Sequence, residues 1–236
     1  MARILNGMNS LCDSPWVRPG TVAGFADSPP NRTLLAFAQS ERARGAAAAV
    51  DVGCGAARNL IPLAEQGWSI MGVDLSRPML EAAIERIAAH SLSDRATVAL
   101  APMDALPVAS RSVDLIVAHG IWNLARSGAE FRGAVREAAR VARKGAALFV
   151  FTFSRRTLSA MARPITGEST IFTGFSGRPQ CFLTEDQLVA EMAAANFVLD
   201  PAVPITEHNV PREGAIRSGT VPVIFEAVFR FAGNGR

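Results

Sequence analysis

The 236-residue chain has few cysteines, a single lysine and no long hydrophobic run. Cys12, Cys54 and Cys181 are far apart and odd in number, which indicates neither a disulfide framework nor a paired-cysteine metal site. No segment approaches the roughly 18 consecutive apolar residues of a membrane-spanning helix, and the first residues lack the apolar core of a signal peptide. We therefore expect a cytoplasmic protein with no metal and no membrane partner.

The basic residues are almost all arginine, since Lys144 is the only lysine, and the net charge is +3. These arginines are scattered along the chain. Nucleic-acid-binding surfaces instead cluster basic residues with aromatic ones. We expect no nucleic-acid partner.

Apolar runs alternate with helical patterns along most of the chain, which is typical of an α/β fold with a mostly parallel sheet and helices on both faces. The last apolar run follows a long irregular stretch instead of a crossover helix, so we expect it to be antiparallel. The predicted strands are Ala47–Val52, Ser69–Val73, Ala96–Leu100, Val113–Ala118, Ala146–Thr152, Phe197–Leu199 and Val223–Phe231. Helices are predicted at Asn31–Arg42, at Ala57–Gln66, after the N-cap Ser76 and after the capping box Thr184–Gln187.

A glycine loop and three carboxylates follow the first three strands. Asp51 lies near the end of the first strand, and Gly53 and Gly55 lie between that strand and the next helix, where glycines allow a tight turn. Asp74 ends the second strand, at the spacing of about 20 residues where an acidic side chain binds ribose hydroxyls. Asp104 follows the third strand. This pattern predicts an adenosine-containing cofactor.

The glycine loop is not that of a dinucleotide-binding protein. The fingerprint G-x-G-x-x-G requires a glycine at position 58, and that residue is Arg58. Asp51 would repel a pyrophosphate but would attract an ammonium or sulfonium group. S-adenosyl-L-methionine carries both cations and no phosphate, whereas a nicotinamide oxidoreductase is disfavoured.

The stretch VDVGCGAARNLIPLAEQGWSIMGVDLSRPMLEAA resembles the cofactor-binding half of the class I S-adenosylmethionine-dependent methyltransferases. Its GCGxxRN and LAxxG elements are similar to the tellurite-resistance-like branch, and the resemblance runs from about Ala46 to Phe153. It implies a Rossmann-like, seven-stranded sheet with an antiparallel last strand. It also implies that Asp51 lies near the methionine amino group, that Asp74 holds the ribose and that Asp104 meets the adenine amino group.

Further residues complete the predicted cofactor site. Arg58 is either a solvated helix residue or a guanidinium that faces the methionine carboxylate. Met103 and Leu106 could flank the adenine. The predicted set also includes Cys54, Leu75 and Ala105.

Two histidines are candidates on the acceptor side. The fourth strand delivers His119 to the carboxyl edge of the sheet, where ligands bind in open α/β folds. His119 could take a proton from an acceptor, and we predict it as the catalytic residue; it could equally hydrogen-bond the backbone or pack beside the cofactor. His208 lies in a loop and could reach the acceptor pocket, although a loop histidine is more often simply solvated.

The domain organisation predicted is an N-terminal lid or helical extension in residues 1–45 and a methyltransferase domain in residues 46–236, with a substrate-side insertion near 155–180. Two long irregular segments, Asn6–Pro30 and Arg155–Ser176, contain aromatic residues and are expected to close over the site.

We expect methyl transfer to a small-molecule acceptor by in-line displacement. The alternatives are a non-catalytic sensor or scaffold and a nucleic-acid methyltransferase, although HGIWN does not resemble the N/D-P-P-Y motif of the latter. Oligomeric state is not indicated.

Overall fold

The computed structural model describes residues 14–211 and 221–233. Cys12 and the first part of the segment Asn6–Pro30 lie outside the described residues. The strands are β1 Ala48–Val52, β2 Ser69–Asp74, β3 Ala96–Leu100, β4 Val113–His119, β5 Ala142–Phe153, β6 Ile171–Phe172, β7 Gln180–Cys181, β8 Phe197–Leu199, β9 Thr206–His208 and β10 Ile224–Phe231. The α-helices are α1 Pro19–Asp27, α2 Arg32–Ala43, α3 Leu60–Glu65, α4 Arg77–Ala89, α5 Gly128–Val141 and α6 Glu185–Ala194.

The central sheet has the order β3-β2-β1-β4-β5-β10-β8, and β9 pairs with β10 at its edge. The strands β1 to β5 are parallel to their neighbours, whereas β10 is antiparallel to β5, β8 and β9. The predicted α/β fold with an antiparallel last strand is therefore confirmed. The sheet has eight strands instead of the seven expected, because β9 is a polar three-residue edge strand with no hydrophobic alternation to reveal it.

Helices cover both faces of the sheet and bury a core on each. On one face, Leu34 of α2 and Leu60 of α3 belong to the same apolar cluster as Phe149 of β5. On the other face, Phe131 of α5 and Leu188 of α6 belong to a second cluster. Side chains of a strand alternate between these faces. At the carboxyl edge of the sheet, the side chains that point toward α2 and α3 therefore all lie on the same face of the sheet.

Predicted helix caps are confirmed at two helices. The Ser76 hydroxyl accepts the backbone N–H of Met79, and Thr184 and Gln187 form the reciprocal capping box. The helix predicted at Ala57–Gln66 starts later, at Leu60. Ala57 itself has a φ of +65°, in the left-handed region, so the chain cannot enter a helix there. A left-handed alanine costs about 1–2 kcal/mol relative to the right-handed region.

The segment after β5 forms a small unit of its own. A 3₁₀ turn at Arg155–Thr157 leads to the antiparallel pair of β6 and β7. The rings of Phe153, Phe172, Phe175 and Phe182 pack together, with centroid separations of 5.4 to 6.1 Å. Within residues 14–211 and 221–233, no helix has the length and apolar character needed to cross a membrane.

Candidate cofactor and acceptor site

A row of residues crosses the carboxyl edge of the sheet from β2 to β10. Val52 of β1 pairs with Val73 of β2 and Ala118 of β4, so the positions that follow, Gly53, Asp74 and His119, continue the same lateral row. His119 pairs with Phe151 of β5, and Phe151 pairs with Glu226 of β10. The row ends at Glu226 and faces α2 and α3. The fold thus places the predicted cofactor residues beside residues of the other half of the sheet.

The glycine loop fits tightly against its neighbours. A Cβ atom on Gly53 would lie 2.7 Å from the Ile121 side chain, and the φ of Gly53 is +73°. A Cβ on Gly72 would lie 2.7 Å from Sγ of Cys54. Burial, together with Asp74 and Asp51, raises the pKa of the Cys54 thiol well above its usual range. Cys54 therefore packs in the loop as a neutral thiol.

Two buried carboxylates lie next to this loop. Asp51 is 2% exposed, and no hydrogen bond reaches its carboxylate from within residues 14–211 and 221–233. Burial raises the pKa of Asp51 to about 7, and Asp74 adds to the rise while Arg58 opposes it. An unpaired buried carboxylate is costly unless a cation or a donor approaches it. The site is therefore suited to a cationic ligand.

Asp74 is held by the backbone. Its carboxylate accepts the N–H of Gly55 at 3.0 Å and that of Ser76 at 2.8 Å. Burial raises the pKa of Asp74, while bonds from Ser76, Gly55 and Leu75 oppose this rise. The side chain is thereby fixed directly at the glycine loop.

Arg58 and His119 meet beside the carboxylates. Nη2 of Arg58 lies 3.1 Å from Nδ1 of His119, and the imidazole stacks on Phe151 with ring centroids 4.1 Å apart. Nε2 of His119 lies 3.2 Å from Nδ2 of Asn31. Burial lowers the pKa of His119 to about 3, and the charge of Arg58 adds to this effect. His119 is therefore a neutral imidazole near physiological pH.

Sequence reasoning missed Asn31 and Glu226 as site residues. The Asn31 side-chain oxygen caps α2, and its Nδ2 donates to Oε2 of Glu226 at 2.7 Å. Glu226 is 7% exposed, and its Oε1 lies 3.4 Å from Nε2 of His208. The signal was available in the run VIFEAVF, because a single carboxylate inside an otherwise apolar buried strand requires a partner. Asn31 carried no such signal, since an asparagine at a helix start is explained by capping.

The residues predicted to surround adenine lie at the neighbouring strand end. The loop after β3 begins beside Asp74, where the Ala101 N–H donates to the Asp74 backbone oxygen at 3.1 Å. Met103 and Leu106 are buried in the core against α5. Asp104 and Ala105 are exposed.

The Asp104 side chain lies near α5. Its Cβ is 3.2 Å from the position of a Cβ on Gly133, beside an open groove of about 600 Å³. Leu75 is 37% exposed. The structure therefore brings together Asp51, Gly53, Gly55, Arg58, Asp74 and His119, and places Asp104 in contact with α5 and not with the two buried carboxylates.

The first described residues cover the glycine loop. The Ser76 hydroxyl donates to the Trp16 backbone oxygen at 2.7 Å, and the rings of Trp16 and Phe25 pack edge to face at 5.3 Å. Cδ1 of Phe25 lies 3.6 Å from the position of a Cβ on Gly55. The guanidinium of Arg58 lies 6.0 Å from the Phe25 ring. Residues 14–27 thus contact both the loop and the N-terminus of α4.

Residues 49–145 match the family model described as a methyltransferase domain. No curated protein shows significant similarity to the chain. Among solved structures, the [4+2]-cyclase SpnF has a TM-score of 0.70 at 15% identity and covers 99% of this chain and 100% of its own. A SAM-dependent methyltransferase from Methanosarcina mazei has a TM-score of 0.64 at 20% identity, with 79% and 93% covered. The 1,6-didemethyltoxoflavin-N1-methyltransferase of Burkholderia thailandensis has a TM-score of 0.62 at 16% identity, with 98% and 93% covered.

At these identities the structural likenesses establish the fold, and the family match adds the domain. The matched segment runs from β1 into β5 and contains the glycine loop, Asp51, Arg58, Asp74 and His119. Residues 49–145 are therefore a methyltransferase domain on a fold shared with S-adenosylmethionine-dependent methyltransferases, which makes the protein an enzyme with S-adenosyl-L-methionine as its cofactor.

Proposed function

We propose that this enzyme transfers the methyl group to a small-molecule acceptor in the cytoplasm. The observation that carries the proposal is the continuous row from Asp74 to Glu226, which joins the cofactor half of the sheet to a partly buried polar cluster under α2. Polar groups that converge in a partly buried place suit a small ligand that is surrounded on most sides. The similar enzyme from Burkholderia thailandensis was solved with 1,6-didemethyltoxoflavin, a small molecule, which supports the same class of acceptor.

In this proposal the cofactor supplies an electrophilic methyl group on a sulfonium centre. Asp51 would face its cationic groups, since the buried carboxylate has no hydrogen-bond donor within the described chain. Arg58 would hold the methionine carboxylate, and Asp74 would hold the ribose hydroxyls. Asp104 would meet the adenine amino group. The remaining members of the proposed set are Gly53, Cys54, Gly55, Leu75, Met103 and Ala105.

His119 remains in the proposed site as a neutral imidazole. Its ring, stacked on Phe151, would form a wall between the cofactor and the acceptor. A pKa of about 3 argues against the role of proton acceptor that the sequence suggested. We propose that His119 contacts the reactants as a neutral ring that accepts no proton from the acceptor.

Two segments would close over the acceptor. Residues 14–27 already contact the glycine loop, and the phenylalanine cluster of the 155–180 insertion continues from Phe153 at the end of β5. Methyl transfer depends on holding the nucleophile, the methyl carbon and sulfur in line and away from water. Exchanging the insertion for that of another methyltransferase should change acceptor preference while affinity for S-adenosylhomocysteine survives.

The proposed function is tested by label transfer. The enzyme is incubated with methyl-tritiated S-adenosylmethionine and a cell extract that ultrafiltration has divided into small molecules and retained macromolecules. We expect label in the ultrafiltrate, lost in Asp74→Ala. Nuclease-sensitive label in the retained fraction would instead show a nucleic-acid methyltransferase. Binding of S-adenosylhomocysteine with no label in either fraction would favour the sensor or scaffold.

A further inference from the structure

Two imidazoles contact the ring of Phe151 at the acceptor end of the row. His119 is stacked on it, and the His208 ring centroid lies 6.3 Å from that of Phe151. His208 belongs to β9, the edge strand that pairs with β10, and its register partner is Ile224, two residues before Glu226. The unexpected edge strand therefore brings a second histidine to the site.

The two imidazoles have opposite surroundings. Both ring nitrogens of His119 face N–H groups, those of Asn31 and Arg58, whereas a neutral imidazole has only one nitrogen that accepts. Nε2 of His208 instead faces a carboxylate, at 3.4 Å from Oε1 of Glu226. When Nε2 of His208 carries its hydrogen toward Glu226, Nδ1 is the accepting nitrogen, so His208 is the better placed of the two to take a proton.

The carboxylate of Glu226 is itself fixed. Its Oε2 accepts from Nδ2 of Asn31, and Asn31 is held in turn because its side-chain oxygen caps α2 and its backbone N–H donates to Asn59. Nε2 of His208 is buried and forms no hydrogen bond within residues 14–211 and 221–233, although the side chain as a whole is 40% exposed. Catalytic hydrogen bonds are often long in the absence of ligands and tighten when reactants bind. A base oriented by a third group is the arrangement that activates nucleophiles in many enzymes.

We propose that His208 is the general base of the methyl transfer and that Glu226 positions it, which makes the acceptor a protic one with an O–H, N–H or S–H at the methylated atom. This inference rests on the proposed function. As the acceptor heteroatom bonds the methyl carbon, the carbon–sulfur bond breaks with its electron pair on sulfur. The proton of the heteroatom passes to Nδ1 of His208, while Nε2–H is held by Glu226, and it then leaves to solvent.

The other charged groups around His208 are engaged with other residues, so Glu226 is the carboxylate that faces its ring. Glu207, its neighbour on β9, accepts from the Ser154 hydroxyl at 2.5 Å and pairs with Arg156 at 2.6 Å. From β5 the contact is the apolar Phe151. Arg58 and the neutral His119 are separated from Glu226 by Asn31, which contacts both His119 and Glu226.

The test measures the initial rate of label transfer as a function of pH, with saturating S-adenosylmethionine and the label-accepting ultrafiltrate as the probe. The wild-type rate should rise with pH through one ionisation, because the base must be unprotonated. His208→Gln should lower the rate near neutral pH by about 10²- to 10⁴-fold and should lose that ionisation. Its rate should approach that of the wild type at alkaline pH, where the acceptor ionises unaided. Glu226→Gln should lower the rate near neutral pH while the dependence on pH survives, because the imidazole remains but loses the carboxylate that positions it.

Two controls separate chemistry from folding. His90→Gln is the matched histidine substitution, at a surface pair with Glu65, and should keep the wild-type profile. His208→Gln, Glu226→Gln and His90→Gln should bind S-adenosylhomocysteine with wild-type affinity. An unchanged rate and pH profile in His208→Gln would overturn the inference, as would loss of the ionisation in His119→Gln alone. Absence of label in the ultrafiltrate with the wild type would overturn the proposed function itself.

Discussion

Nη2 of Arg58 lies 3.1 Å from Nδ1 of His119, so a guanidinium on the proposed cofactor side of the site contacts an imidazole on the proposed acceptor side. The contact lowers the pKa of His119 further than burial alone. Arg58 also lies near Asp51, and its positive charge opposes the rise in the pKa of that carboxyl group. The electrostatics of the two halves of the site are therefore linked through one residue.

Arg58→Gln should have two effects. The pKa of His119 should rise above about 3 but stay below its ordinary value, because burial is the larger cause. Affinity for S-adenosylhomocysteine should fall by about 10- to 100-fold, as expected for the loss of a hydrogen bond to a charged group. Histidine NMR and calorimetric titration measure these effects, with Arg95→Gln as an exposed control. The proposed role of Arg58 is wrong if both quantities stay at their wild-type values.

The raised pKa of Asp51 predicts a pH dependence of stability. Between the ordinary value near 4 and about 7, folded Asp51 holds a proton that the unfolded chain has released, so its contribution makes the free energy of unfolding fall as pH rises. The lowered pKa of His119 acts with the opposite sign between about 3 and its ordinary value. The comparison of wild type with Asp51→Asn isolates the first effect.

Urea denaturation at about pH 5 and about pH 7.5 measures this difference. Relative to the wild type, Asp51→Asn should gain stability as pH rises between the two, whereas Asp94→Asn, at the surface, should show no such change. A constant difference between wild type and Asp51→Asn would show that the pKa of Asp51 is not raised.

Trp16 should report closure over the cofactor. The chain has three tryptophans, and Trp68 and Trp122 are at most 1% exposed, whereas Trp16 is partly exposed and packs on Phe25. Addition of S-adenosylhomocysteine should therefore change the fluorescence of Trp16. The change should vanish in Trp16→Phe, which preserves an aromatic contact with Phe25. A full fluorescence change in Trp16→Phe would argue against residues 14–27 as the lid.

Arg230 fixes α2 to the sheet independently of the site. It pairs with Glu41 of α2 at 2.5 Å and with Asp200 at 2.6 Å, and these acids are 5% and 6% exposed. Arg230→Ala leaves the buried Asp200 without its ion-pair partner and leaves Glu41 only the exposed Arg44, so it should cost about 3–5 kcal/mol of unfolding free energy. Arg126→Ala removes the exposed pair with Glu130 and should cost about 0–1 kcal/mol. Similar losses in the two variants would contradict this difference.

Much of the fold follows from local sequence signals. The apolar runs locate the seven main strands, and the caps at Ser76 and Thr184 are correct because capping depends only on adjacent residues. The start of α3 was wrong because the left-handed backbone of Ala57 is set by the packed loop and not by its side chain. The strand β9 escaped prediction because pairing with β10, not composition, forms it.

Only the half of the site around the glycine loop could be predicted from the sequence. Asp51, Gly53 and Asp74 lie at the carboxyl ends of two consecutive strands, so their spacing indicates a shared edge. Asn31, His208 and Glu226 are distant in sequence, and they meet only because β10 inserts beside β5 and α2 starts above that edge. Strand order is a property of long-range packing that local patterns do not encode.

Asp74 and the glycine loop are the residues that we propose to bind S-adenosylmethionine. The most direct test is calorimetric titration of the protein with S-adenosylhomocysteine, beside Asp74→Ala, the surface control Asp94→Ala and a titration with NADH. We predict saturable binding by the wild type and Asp94→Ala, binding lost in Asp74→Ala, and no binding of NADH. Binding of NADH, or undiminished binding of S-adenosylhomocysteine by Asp74→Ala, would contradict the account.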